Sequence, residues 1–154
     1  MRIVACGDAL FSGGNLAGRI DPKVLQVLAD ADAAFANAEF CCPGRETPPA
    51  PRRFITAVDA DAIDELTSIG INLISFANNH TGDFGPQGVL DTIRACEARK
   101  VIPSGIGRSL AEARAARFRD TPNGRIGLVS LSTTRSAEFA ASSPGAGIAA
   151  RPGL

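Results

Sequence analysis

Apolar residues cluster from Ile71 to Ala77 (INLISFA), interrupted by Asn72 and Ser75. The chain then turns polar through Asn78, Asn79, His80, Thr81 and Asp83, before Gly85 and Pro86. A short apolar run of this kind is a buried strand, and a proline at the first turn opens a helix without losing a needed N–H. The stretch predicts strand, polar loop, helix, with chemistry at the carboxyl end of the strand as α/β proteins arrange it.

The same reading extends to the rest of the chain. Arg2 to Gly7 predicts a first buried strand ending at Gly7-Asp8. Ala9 to Ile20 is glycine-rich and irregular. Asp21-Pro22 starts a helix, with Asp21 as N-cap and Val24, Leu25, Val27 and Leu28 facing inward. Ala33 to Ala38 predicts a second strand, running into Asn37-Ala38-Glu39. Cys41 to Arg53 is a proline- and arginine-rich loop. Asp59 to Ser68 predicts a helix with Ala62, Ile63 and Leu66 as its apolar stripe, stopped by Gly70. Pro86 to Arg99 predicts the next helix, burying Val89, Leu90, Ile93 and Ala95 or Cys96. Val101 to Gly105 predicts a short strand. Ser109 to Ala115 predicts a small helix with a Ser109/Glu112 capping box. Arg117–Asp120 and Ile126–Leu131 predict a hairpin around Pro122-Asn123-Gly124. From Thr134 to Leu154 no period of 2 or 3.6 survives, which predicts a loop or disordered tail after a domain spanning 1–133.

Composition narrows the function. With 154 residues, 45% apolar and 21% charged, the chain can bury one domain's core. Sixteen basic and sixteen acidic residues cancel, and Trp and Tyr are absent. Both facts speak against nucleic acid or an anionic membrane as a general partner. Cys6, Cys41, Cys42 and Cys96 form no C-x-x-C pair, so reduced thiols are expected rather than a zinc knuckle. No leader or membrane-spanning run is visible from Met1 onward, which predicts a cytoplasmic chain as written.

Three predicted strands run into acid or amide groups: Asp8; Asn37 with Glu39; and Asn78, Asn79 and His80 with Asp83. Their convergence at one sheet edge would offer carboxylate and amide oxygens with one imidazole. That donor set suits a divalent ion of the Mn, Mg, Zn or Fe group, with His80 as acid or base near neutral pH. Arg45, Arg52 and Arg53 on the preceding loop are candidates to face an anionic substrate, or to be solvated.

These residues also carry a family resemblance. Gly7-Asp8, the run from Ala31 to Glu39, the run from Gly70 to Gly85 and the run from Gly105 to Ala113 resemble the CapA family of poly-gamma-glutamate capsule biosynthesis proteins. That family is related to the calcineurin-like metallophosphatases. The Ala-Asn-Asn-His-x-x-Asp-x-Gly block is the most specific part, and the resemblance covers most of residues 2 to 133. It implies a four-layer α/β/β/α sandwich with a metal centre at its strand ends. Carried over residue by residue, it implies Asp8, Glu39 and Asn79 as metal ligands and His80 near the reacting group. Asp83 orients His80, and Asn37 and Asn78 support the ligands.

Two departures accompany it. Leu10 stands where the metallophosphatase Gly-Asp-x-His pattern has histidine, and no later Gly-His-x-His-like segment follows; the chain has one histidine. Both predict that the sequence is the N-terminal part of a longer protein or a truncated family member, with an incomplete sandwich. The leading expectation is metal-dependent, hydrolase-type chemistry on a small molecule or a polyglutamate or peptide substrate. The rivals are metal-assisted proton abstraction of the epimerase type and a non-catalytic subunit of capsule-polymer assembly.

Overall fold

Three apolar segments build the main sheet. The computed structural model describes residues 1–11, 14–133, 140–142 and 152–154. In it β1 (Ile3–Ala9), β2 (Ala33–Ala38) and β3 (Leu73–Ser75) lie parallel in the order β1-β2-β3. Helices α1 (Pro22–Ala29) and α2 (Asp61–Ser68) make the crossovers, as parallel neighbours require. A third helix, α3 (Gly85–Ala98), follows β3. The short α4 (Leu110–Ala113) then leads into an antiparallel hairpin of β4 (Arg117–Thr121) and β5 (Gly124–Leu128). The fold is α/β, as expected from the alternation of strand and helix signals. No helix among the described residues is long and apolar enough to cross a membrane.

Local sequence accounts for the helix ends. Asp21 caps α1 by accepting the Lys23 N–H at 2.8 Å, with Pro22 at the first position. At the end of α2, Gly70 N–H donates to Thr67 O and Ile71 N–H to Leu66 O. This is a Schellman closure with Gly70 at φ +101°. The end of α3 closes the same way, through Lys100 N–H to Glu97 O and Val101 N–H to Cys96 O. There the left-handed position, φ +58°, is held by Lys100. Ser109 caps α4, while Glu112 reaches back to the Arg108 N–H at 2.8 Å.

The core lies between the sheet and α2 and α3. The alanines of β2 are almost fully enclosed, and their small side chains let the helices approach closely. Phe40 and Phe76 are fully buried and meet edge to face at 6.0 Å, with Phe11 against Phe40 at 5.9 Å. Each buried ring contributes about 2–3 kcal/mol from area alone.

Several expectations are corrected. β2 is the middle of the three strands; among the described residues β3 has β2 on one side and only the Ser75–Ser104 bridge on the other. Residues 101–105 form no strand beyond that bridge, because Pro103 has no N–H to give a ladder and Gly105 turns to φ +84°. Asp8 lies inside β1 rather than after it. Val24 and Val27 are half exposed, and of the expected inward set only Leu28 is buried, with Leu25 partly so. The hairpin closes at Thr121–Gly124, so β5 begins at Gly124 and ends at Leu128. Most of the tail expected over 134–154 lies outside the described residues. Its described parts are docked: Gly153 pairs with Gly107 in both directions at 3.0 Å, and Leu154 packs on the core.

Candidate functional site

Register brings the first two polar clusters together. Asp8 stands opposite Asn37, and Asn37 opposite Ser75, across the sheet. The Asn37 amide donates to Asp8 Oδ1 at 2.7 Å. The Asn78 amide in turn donates to Asn37 Oδ1 at 3.1 Å and to Ala38 O at 2.8 Å. Asn78 Oδ1 accepts the His80 N–H at 3.0 Å. A continuous hydrogen-bonded path therefore runs from Asp8 through Asn37 and Asn78 to His80. Thr81 supports the turn by donating to Phe76 O. Asn78 is buried and Asp8 exposed, so the path leads from the core to the surface.

The second half of the site is built on Asp83, whose side chain is fully buried. Such a carboxylate is tolerable only when its oxygens are saturated with donors. Oδ2 lies 2.7 Å from His80 Nδ1 and accepts the Thr56 N–H at 2.7 Å. Oδ1 takes Arg52 Nη1 at 2.5 Å. The same Arg52 nitrogen also donates to Asn79 O at 2.6 Å. An ionised carboxylate cannot donate, so the Nδ1 proton belongs to the imidazole, and Nε2 carries the lone pair in the neutral ring. The His80 side chain is 17% exposed.

The expected site residues divide accordingly. Asp8, Asn37, Asn78, His80 and Asp83 join one network. The Glu39 backbone belongs to it, accepting the Thr56 hydroxyl at 3.1 Å, but its carboxylate makes no described contact. Asn79 is exposed and joins through its carbonyl rather than its amide. Arg52 is held by Asp83 as a positioning group. Arg53 instead stacks on the exposed Phe54, 5.4 Å from the ring centre, and no described contact joins it to the network. Thr56 and Asp91 escape the sequence reading. Asp91 ties the 41–53 loop to α3, accepting Gly44 N–H at 2.8 Å and the Thr47 hydroxyl at 2.5 Å. Neither belongs to a motif with a recognisable spacing.

Asp8 Oδ2, the Glu39 carboxylate and the Asn79 amide are hard oxygen donors of the kind a divalent ion takes. Yet among the described residues no three His, Cys, Asp or Glu side chains stand together as a metal-holding group. The donors fit such an ion in kind and fall short of a shell in number. The cysteines stand apart from this chemistry. All four are free, and burial pushes the Cys41 and Cys42 thiols up to about 12, with the Asp83 charge adding to the effect at Cys41. Burial of this degree disfavours the thiolate form of Cys41 and Cys42.

Known proteins resemble this sequence. The "Uncharacterized protein y4sH" of Sinorhizobium fredii (strain NBRC 101917 / NGR234) is 32% identical over 160 residues, taking in 99% of this chain and 34% of its own length. A second protein of that strain, "Uncharacterized protein y4uA", matches to the same extent. The "Probable polyglutamine synthesis accessory protein Rv0574c" of Mycobacterium tuberculosis (strain ATCC 25618 / H37Rv) is 29% identical over 108 residues, covering 70% of this chain and 25% of its own. The chain thus spans about a third or less of the curated relatives it matches. The sequence model described as "Bacterial capsule synthesis protein PGA_cap" matches residues 2–152, and the chain belongs to that bacterial capsule synthesis, CapA-like family.

Proposed function

We propose that this chain serves bacterial capsule-polymer synthesis through its strand-end cluster, with hydrolase-type chemistry on a peptide or polyglutamate-like substrate. The observation that carries this reading is the His80–Asp83 pair. A buried carboxylate holds Nδ1 at 2.7 Å and sets Nε2 as the proton acceptor. In the reaction His80 takes a proton from the attacking water and returns it to the leaving group. Asp83 keeps the ring in the correct tautomer, and Arg52 and Thr56 hold Asp83 in place. Asp8, Glu39 and Asn79 are the proposed oxygen donors to a divalent ion (Mn, Zn, Fe or Mg), together with ligands beyond this set. Such an ion, when bound, polarises the bond under attack and acidifies water. The four-layer sandwich belongs to the same proposal.

The test is calorimetry and elemental analysis with Mn and Zn on the 154-residue chain beside Asp8→Ala and Asn79→Ala. It is followed by release of phosphate from an aryl phosphate and of glutamate from a polyglutamate peptide. Metal binding that both substitutions weaken at least tenfold, with turnover lost in His80→Ala, supports the reading. A chain that binds no metal above the variants and turns over neither substrate favours the non-catalytic assembly role instead.

A further inference from the structure

A second feature lies at the opposite end of β3 from His80. A cleft of about 470 Å³ opens between the start of β3, the end of α3 and the outer side of β4. Its charge is unbalanced although the chain as a whole is neutral. Arg99 is neutralised by Asp61 and Asp64 at 3.0 and 2.7 Å, and Asp120 by Arg125 at 2.6 Å. Lys100, Arg117 and Arg119 make no ion pair with a carboxylate among the described residues. Arg117 is instead oriented by neutral carbonyls, through Nε to Pro103 O at 2.9 Å and Nη2 to Glu112 O at 3.1 Å. Arg119 Nε donates to Asp32 O at 3.3 Å. Backbone oxygens aim these guanidiniums without cancelling their charge.

Among the described residues the outer backbone of β4 is also unpaired, since β4 pairs only with β5. Phe118, Arg119 and Asp120 are exposed. Arg117 and Arg119 share one face of β4 by the period of two, and Phe118, 63% exposed, projects from the other. An incoming strand would therefore meet positive, apolar and positive positions in alternation. We propose that the outer edge of β4 is a docking site for an extended segment of a partner protein in which acidic and apolar residues alternate. The segment adds to the sheet by main-chain hydrogen bonds, its carboxylates facing Arg117, Arg119 and Lys100. This site does not depend on the chemistry assigned to His80.

The test uses a fluorescein-labelled Glu-Val-Glu-Val-Glu peptide and anisotropy at low salt on the 154-residue chain. The decisive variant is Lys100→Gly with Arg119→Gln, which removes two charges and suits the left-handed backbone at 100; its thermal unfolding shows that it is folded. Saturable binding that this variant weakens at least tenfold supports the proposal. So do an unchanged affinity in the charge-matched Lys23→Gln/Arg94→Gln control and a tenfold loss with Glu-Pro-Glu-Pro-Glu, which lacks the bridging N–H groups. No saturable binding overturns it. So does equal affinity for the proline peptide or for single-stranded RNA, or equal loss in the control.

Discussion

Asp83 Oδ2 and His80 Nδ1 are 2.7 Å apart, and the carboxylate behind that contact has no solvent exposure. Loss of this acid uncouples three groups at once, since Arg52 and the Thr56 N–H depend on it as well as His80. Asp83→Ala is expected to cost about 3–5 kcal/mol in urea unfolding, the range for breaking a buried ion pair. His80→Ala is expected to cost about 1 kcal/mol and, on the proposed function, to remove turnover. A small stability loss in Asp83→Ala would show that Arg52 and His80 hold their places without it.

Asp91 should govern part of the acid sensitivity. Burial pushes its carboxyl up. Hydrogen bonds from Thr47, the Gly44 N–H and Gln87, with the Arg94 charge, outweigh that and hold it below the ordinary value of 3.8. A group lowered on folding stabilises above its unfolded value and loses that contribution as pH falls through the folded one. Asp91→Asn is therefore expected to lower stability at neutral pH and to flatten the decline below about pH 4. Urea midpoints across that range measure it, and an unchanged slope would count against the clamp on the 41–53 loop.

The thiols act at the other end of the pH scale. Cys41 and Cys42 are raised on folding from 9.0 to about 12, chiefly by burial. Their contribution is intact below the unfolded value and is lost as pH rises toward the folded one. Unfolding midpoints should fall between pH 9 and 12, less so in Cys41→Ala. At neutral pH a thiol reagent should modify these two positions only in urea-unfolded protein.

Two left-handed positions should respond in opposite ways to substitution. Lys100 occupies one at φ +58°, where an L-residue is strained by about 1 kcal/mol. Lys100→Gly is expected to be slightly stabilising, by about 0.5 kcal/mol after the entropy cost of glycine. Gly105 sits at φ +84°, and a Cβ there would meet the Ala77 Cβ at 2.5 Å and the Ser130 Cβ at 2.9 Å. Gly105→Ala should cost about 2 kcal/mol or more. Thermal unfolding of both variants separates strain from crowding.

The sequence by itself determined the local pieces. The 71–98 stretch reads as strand, polar loop and helix, and the stop at Gly70 sits where hydrophobic period and cap chemistry put it. Each depends on contacts within a few residues, so its signal is local. The polar strand ends were equally legible as candidates. Tertiary structure alone decided their use. Asp8 reaches Asn37 because of a register set across 29 residues, including a shift between Ala5 and Asp8 that no sequence period records. Arg52 is turned from a free cation into the partner of Asp83 by a loop whose path is set by Asp91 on α3. Val24 and Val27 fit the helical pattern yet remain half exposed, because the described core takes only Leu25 and Leu28 from that face of α1. Pairings between distant segments depend on how elements pack together, and hydrophobic periodicity carries no record of that.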